Sequence, residues 1–363
     1  TSSLATLIYN QSGTANMTNN VTINNNKLNG GGYAIYWWGG STTTREANLV
    51  YTNNEARGFN SYGSYFYYQD SMLVEGNEFV QSTTSTSFCY GIYSYYIYDS
   101  KLSRNRVELN TTSTNYGLML GRWAGTSNEV SNNMIITSNN STGTAYGLYL
   151  NYCLNTNVYH NSVNVRAGSA SGTRTLYVLG STSTLYGNND IRNNIFTNNA
   201  GGNASYINSG AASTVHLSHL DYNIYNSSGT NPFYYGTTSY PTFAAYQAAS
   251  AMDSNSFFSS PGYFSQSDLH LQGVVAFDNA DPSVGVSNDY DGDARPLGPT
   301  TGFDIGADEY IPPTCPSPYS MVFVDATTSS ARITWTNGPA DSIWEVQYGA
   351  PGFTIGTGTS MIS

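Results

Sequence analysis

Tyr146-Gly147-Leu148-Tyr149-Leu150, followed by Asn157-Val158-Tyr159-His160-Asn161-Ser162-Val163, sets out the clearest copy of a pattern that recurs along the chain. Three short strand-like pieces lie here, roughly 147–150, 157–159 and 162–165. Side chains alternate across a strand, so Leu148 and Leu150 point one way and Tyr149 the other. On either side of this stretch, Asn161 has counterparts at Asn26, Asn54, Asn77, Asn105, Asn133, Asn194 and Asn223, each followed two residues later by an apolar position. The spacings along this series are 28, 23, 28, 28, 28, 33 and 29. Tyr146 begins a second recurring element, Tyr-Gly-apolar-Tyr-apolar. Its other copies start at Tyr33, Tyr62, Tyr90 and Tyr116, with a degenerate one at Arg174; these spacings are 29, 28, 26, 30 and 28. Two elements that keep one period and one phase define a repeat.

A unit of about 28 residues, rich in Thr, Val, Ile and Tyr and punctuated by Asn and Gly, predicts three strands per turn of a solenoid. The inward residues of successive coils then form one continuous apolar core. Each repeated asparagine falls at a corner, where its amide meets the amides of the coils above and below. Such a ladder satisfies polar groups that a tight turn would otherwise leave bare. The eight asparagines are therefore assigned a structural role.

The quoted stretch resembles the right-handed parallel β-helix of the pectate-lyase-like superfamily, especially its NosD-type repeats. The likeness covers residues 1–310 and implies an all-β, right-handed parallel β-helix of about eight or more coils. It implies little about activity, because that superfamily holds lyases, hydrolases, epimerases and inert adhesins. The period fades after residue 226, and residues 230–310 are expected to close the last coil. Within them, Asp289-Tyr290-Asp291-Gly292-Asp293-Ala294-Arg295-Pro296 and Phe303-Asp304-Ile305-Gly306-Ala307-Asp308-Glu309-Tyr310 resemble a segment that ends bacterial β-helix surface proteins. A Pro-rich linker follows at 311–318. Residues 319–363, with alternating runs at Ala331-Arg332-Ile333-Thr334-Trp335 and Trp344-Glu345-Val346-Gln347-Tyr348, are similar to part of a fibronectin type III module. Such modules occur in large Bacteroidota proteins exported by type IX secretion. A complete sandwich needs seven strands and about 100 residues, so a longer parent chain is expected.

Composition agrees with an exported solenoid. Charged residues make up 10% of the chain, against about 25% in ordinary domains, yet 32 tyrosines argue against disorder. Only 243–249 reads as helical. The net charge of −11 is uneven: residues 1–280 carry 13 acids and 10 bases, residues 281–363 carry 10 acids and 2 bases. No basic patch is present to meet phosphates, so nucleic acid is not an expected partner. No apolar run reaches membrane-spanning length, so insertion in a bilayer is not expected. Cys89, Cys153 and Cys315 show no zinc or CxxC spacing, and the first two read as buried thiols.

Candidate chemistry is sparse, and no catalytic residue is assigned. Glu55 and Glu78 share the column after the ladder asparagine, flanked by Lys27 and Arg106. That column reads as a charged surface ladder before it reads as an active-site strip. The four histidines show no partner spacing. Asp289, Asp291 and Asp293 alternate around Gly292 in the manner of oxygen-rich Ca²⁺ loops, but Arg295 offers them a salt-bridged cap instead. Ca²⁺ there is the single cofactor expectation. Tyr36, Tyr65, Tyr93, Tyr149, Tyr177 and Tyr206 form an outward column, with coils ~4.8 Å apart. Either the column binds glycans or proteins, or it stabilises the sheet. The expectation is a non-catalytic structural or adhesive module of a large, secreted bacterial cell-surface protein or extracellular filament. Its partners would be other domains of the same chain, neighbouring filament subunits, and glycans. The alternative is a β-helix polysaccharide lyase, glycoside hydrolase or carbohydrate-binding module.

Overall fold

A computed structural model describes residues 5–85, 88–140, 143–181, 183, 185–208, 210–212, 215–298, 301–312, 319–336, 343–354 and 356–362. Up to residue 258 the chain winds through three sheets in turn. The first sheet runs in parallel from Thr6–Gln11 through Ala145–Asn151 to Phe233–Gly236. The second has eight strands, from Thr22–Asn24 to Leu217–Asp221, and the third nine, from Lys27–Asn29 to Phe257–Phe258. One strand of each sheet per turn gives the all-β parallel solenoid of about eight coils.

Register explains the repeat. In the first sheet Leu118, Leu148 and Leu176 are direct neighbours, as are Leu120, Leu150 and Val178. The second sheet lines up Val74, Leu102, Val130, Val158 and Ile191. The third lines up Phe79, Val107, Ile135, Val163, Phe196 and Tyr225. All these side chains are buried in one core. Each contributes about 1.5–3 kcal/mol through removal of apolar surface from water. The glycine of the Tyr-Gly motif makes room for the third sheet. A Cβ on Gly117 would sit 2.3 Å from Ile135 Cγ2, and one on Gly147 2.3 Å from Val163 Cγ1.

Corners between the second and third sheets are built alike. The residue before each ladder asparagine has positive φ: Asn25, Asn53, Gly76, Arg104, Asn132, His160, Asn193 and Tyr222. Most are not glycine, and left-handed backbone costs an ordinary residue roughly 1–2 kcal/mol. Stacking of one corner on the next offsets that cost.

The solenoid closes through a short cap. A helix at Phe243–Ser250, N-capped by Thr242, lays Tyr246 on Phe233 with ring centroids 4.6 Å apart. Beneath it, buried Asp253 accepts from the hydroxyls of Tyr225, Tyr246 and Ser256. Residues beyond 260 do not cover the last coil, contrary to expectation. They run back along the outside of the third sheet as a strap. Leu271, Ala276 and Ile305 pack on Ile195 and Ile224, and Leu269 and Ala307 pack on Met134 and Ile136. These solenoid residues point outward, and burying them drives the strap down. Gly306 N–H donates to Asn193 O (2.8 Å), Ala307 N–H to Ser162 Oγ (3.0 Å), and Asn132 Nδ2 to Asn288 O (2.6 Å).

The linker from residue 313 to 318, Cys315 included, lies outside the described residues. Further on, Tyr319–Ala326 pairs antiparallel with Ala331–Thr336, and Glu345–Tyr348 with Thr359–Ile362. Two separate small sheets of this kind are compatible with a sandwich. Met321, Phe323, Ile343 and Ile362 on this portion are exposed.

Candidate functional site

Outward positions of the first sheet carry files of aromatic rings. Tyr33, Tyr62, Tyr90, Tyr116 and Tyr146 stack at 4.6, 4.8, 4.6 and 4.7 Å. Beside them Tyr9, Tyr36, Tyr65 and Tyr93 stack at 5.3, 4.8 and 4.8 Å. Met119 takes the next place in that file, and Tyr149 and Tyr177 resume it at 4.5 Å. Tyr206 then turns nearly perpendicular to Tyr177 and stacks on Tyr234 at 4.1 Å. A third file holds Trp38, Tyr67 and Tyr95 at 4.2 and 5.4 Å. The first two files meet edge to face where Tyr62 meets Tyr65 at 79°, whereas the rings of the second and third files lie side by side and nearly parallel, as Tyr65 and Tyr67 do at 10°.

This geometry changes what the surface offers. Ring faces are spent on one another, and solvent meets ring edges and hydroxyl groups. A sugar ring cannot lie flat on the inner tyrosines. A row of neutral hydroxyl groups, repeated at the coil spacing, remains available for hydrogen bonding. Burial pushes the Tyr62 and Tyr116 hydroxyls up to about 12, so they hold their protons. The six tyrosines expected in one column do share it. The Tyr33–Tyr146 file was missed as a surface. At Gly147 and Leu148 two consecutive residues are buried, so strict alternation does not reveal that Tyr146 and Tyr149 share a face.

Two arginines border the tyrosines. Arg174 follows Tyr146 in its file. Its guanidinium lies 4.0 Å from the Tyr206 ring centroid and 4.8 Å from that of Tyr177, and Nη1 donates to the Tyr146 hydroxyl at 3.2 Å. A cavity of about 440 Å³ opens beside it. Arg122 donates to the hydroxyls of Tyr95 (3.2 Å) and Tyr186 (2.6 Å).

The eight asparagines form one unbroken file. Nδ2 of Asn26, Asn54, Asn77, Asn105, Asn133, Asn161 and Asn194 each donates to Oδ1 of the next, at 2.9–3.1 Å. The same oxygens accept the backbone N–H of the preceding asparagine, as Asn161 Oδ1 does from Asn133 N (3.0 Å). Ser256 ends the file by accepting from Asn223 N at 2.8 Å.

Acidic residues of the third sheet are spent on neighbours. Glu55 pairs with Lys27 and Arg57, Glu78 with Arg57 and Arg106, and Glu108 with Arg106 and Arg166. Hydrogen bonds from Arg57 and Lys27 hold the Glu55 carboxyl below its ordinary range. A groove of about 340 Å³ between the second sheet and the strap contains Glu75 and Glu129. Arg104 holds the first at 3.3 Å and Lys101 the second at 3.0 Å.

Asp289, Asp291 and Asp293 do not converge. Asp289 is buried and accepts the backbone N–H groups of Gly292, Asp293 and Glu309. Asp291 turns to His270 Nε2 at 3.0 Å, and Asp293 is exposed. Arg295 pairs with Glu309, not with the three aspartates. Among the described residues His270, Asp291 and Asp308 are instead the side chains that gather closely enough for a metal ion. Asp268 bonds His270 Nδ1. Burial lowers the affinity of that imidazole for a proton, but Asp268, Asp308 and Asp291 outweigh it and raise its pKa. Only the Asp268-x-His270 adjacency was visible in the sequence; the other residues arrive by the folding of the strap.

A protein family described as "Periplasmic copper-binding protein (NosD)" is similar to this chain over residues 3–178. That likeness supports the β-helix repeat. No curated protein and no solved structure matches the chain. No helix among the described residues is long and apolar enough to cross a membrane.

Proposed function

We propose that this chain is a non-catalytic, contact-making β-helix module of a protein exported from a bacterial cell, with the tyrosine-tiled first sheet as its contact surface. The aromatic files carry this reading. They put a continuous, hydroxyl-edged surface on one side of the solenoid, while Glu55, Glu75, Glu78, Glu108, Glu129 and Asp190 of the other two sheets are ion-paired. An aromatic area of this extent on a soluble surface is the mark of a partner. The family likeness supports an exported repeat protein. Placement on the cell surface, carriage on a larger type IX-secreted Bacteroidota protein and a fibronectin type III-like module at 319–363 extend that reading.

Copper, which the family's description names, is not carried over. Within residues 3–178, no three described His, Cys, Asp or Glu side chains converge. His160 is buried, with its ring nitrogens facing Asp304 O and Asn193 Nδ2.

The enzyme reading retains one place to stand, the groove with Glu75 and Glu129. One experiment separates the two. The protein is incubated with a panel of neutral and acidic polysaccharides, and both retention and release of reducing or unsaturated ends are measured. Retention without product, weakened in a Tyr65→Ala, Tyr93→Ala variant, is expected. Product release that Glu75→Gln or Glu129→Gln abolishes would make the protein an enzyme.

A further inference from the structure

The chain carries 12 Lys and Arg residues against 23 acids. Ten of the 12 are ion-paired: Lys27, Arg45, Arg57, Lys101, Arg104, Arg106, Arg166, Arg192, Arg295 and Arg332. Among the described residues Arg122 and Arg174 have no carboxylate partner, and both stand at the tyrosine face. In a chain with a net charge of −11, a guanidinium without a carboxylate is the unusual case.

Arg122 is held by two tyrosine hydroxyls and borders none of the cavities described above. Arg174 differs. Aromatic rings flank its guanidinium, Nη1 is engaged by Tyr146, Nε is buried without a partner among the described residues, and the side chain borders the 440 Å³ cavity. The rest of the wall carries no charge: polar Ser171, Asn203, Asn231 and Ser239 stand among the rings of Tyr206 and Tyr234 and small residues. A planar fork stacked on a ring is preorganised for a carboxylate or sulfate. Amides, hydroxyls and aromatic edges around a single cation suit a sugar. An acidic peptide would call for several cations.

We infer that the cavity beside Arg174 binds one acidic sugar unit, its carboxylate or sulfate on the guanidinium and its hydroxyls on Asn203, Asn231 and Ser239. This rests on the reading of the tyrosine face as a contact surface and names what one end of that surface selects. The anion enters without any proton or electron transfer.

Calorimetric titration of the full chain tests it with four probes. These are a glucuronate-containing oligosaccharide, the same compound with its carboxyls reduced to alcohols, a sulfated neutral oligosaccharide, and a polyglutamate peptide. Binding of a carboxylated or sulfated sugar is expected, at least tenfold tighter than the reduced one and weakened by salt; the two acidic arms identify the anion. Arg174→Gln should lose at least tenfold with its melting temperature kept, and Arg122→Gln should not. Should Arg174→Gln fail to fold, Asn203→Ala must show the loss. Equal affinity for acidic and reduced sugars, an unaffected Arg174→Gln, or preference for polyglutamate would overturn the assignment. If neutral sugars bind and Tyr65→Ala, Tyr93→Ala weakens them, the contact surface stands without the acidic site. If no polysaccharide or oligosaccharide binds, both readings fall.

Discussion

Asn133 concentrates the logic of the corner in one side chain. Its amide nitrogen reaches Leu102 O, Ser131 O and Asn161 Oδ1, and its oxygen receives Asn105 N and Nδ2. Asn133→Ala should leave groups unpaired in the coils on both sides and cost about 1–3 kcal/mol for each one. Asn133→Asp keeps the shape but cannot donate to Asn161, and should melt lower still at neutral pH. A melting temperature indifferent to both substitutions would remove the ladder as a source of stability. Asp253 gives a second residue-scale prediction. Burial, foremost, pushes its carboxyl from 3.8 up to about 7. Between those values the folded chain keeps a proton that the unfolded chain has released, so stability falls as pH rises through the window, by about 1.4 kcal/mol per unit for one fully shifted group. His270, raised, acts in the same direction. His160, lowered by burial, opposes it below its ordinary value. Asp253→Asn should therefore flatten the decline in melting temperature between pH 4 and 7.5; an unchanged slope would show that Asp253 does not titrate there.

At the scale of elements, the coils were legible and the strap was not. A coil repeats its inward residues and its corner asparagine, so one period exposes strands, core and ladder together. The strap repeats nothing, because each of its residues answers a different part of the solenoid. Its trace in the sequence is a change within one column of the third sheet. Lys27, Glu55, Glu78 and Arg106 give way to Met134, Ser162, Ile195 and Ile224. Apolar side chains on an outward position need a cover, and the strap is that cover. The Asp289, Asp291 and Asp293 pattern misled for a related reason: alternation along a chain says nothing about convergence once the segment turns, and Asp289 turned inward to backbone amides. Arg295 pins the strap through Glu309, Asp304 O, Gly306 O and Asn132 Oδ1. Arg295→Met should cost about 3–5 kcal/mol by leaving buried acceptors and Glu309 without a partner. Limited proteolysis should then cut within 260–310 while the coils stay resistant. A strap as resistant as in the parent protein would count against this role.

For the whole molecule, the strap alters how a solenoid comes apart. Coils that touch only their neighbours unfold in sequence from an end. Here the strap ties the coil of Ile224 to those of Asn193, Ser162 and Asn132, so these should open together. The first coil lies outside that tie, and its core residues Ile8, Val21, Ile23 and Leu28 are only partly buried. Amide hydrogen exchange should show earliest loss of protection in 6–29 and a common, slower rate across 128–227. Graded rates rising evenly from one end to the other would contradict a tied block.

The tyrosine files also make the protein an optical object. Parallel rings less than 6 Å apart couple their excited states, so light absorbed by one tyrosine moves along the file. Trp38 lies 4.2 Å from Tyr67 and 6.2 Å from Tyr65, centroid to centroid, and indole is the lower-energy trap. Excitation of the tyrosines should therefore emerge as tryptophan emission, with little tyrosine fluorescence despite 32 such residues. Trp38→Phe would return part of that light to the tyrosine band, which makes the integrity of the face readable in a cuvette without any ligand.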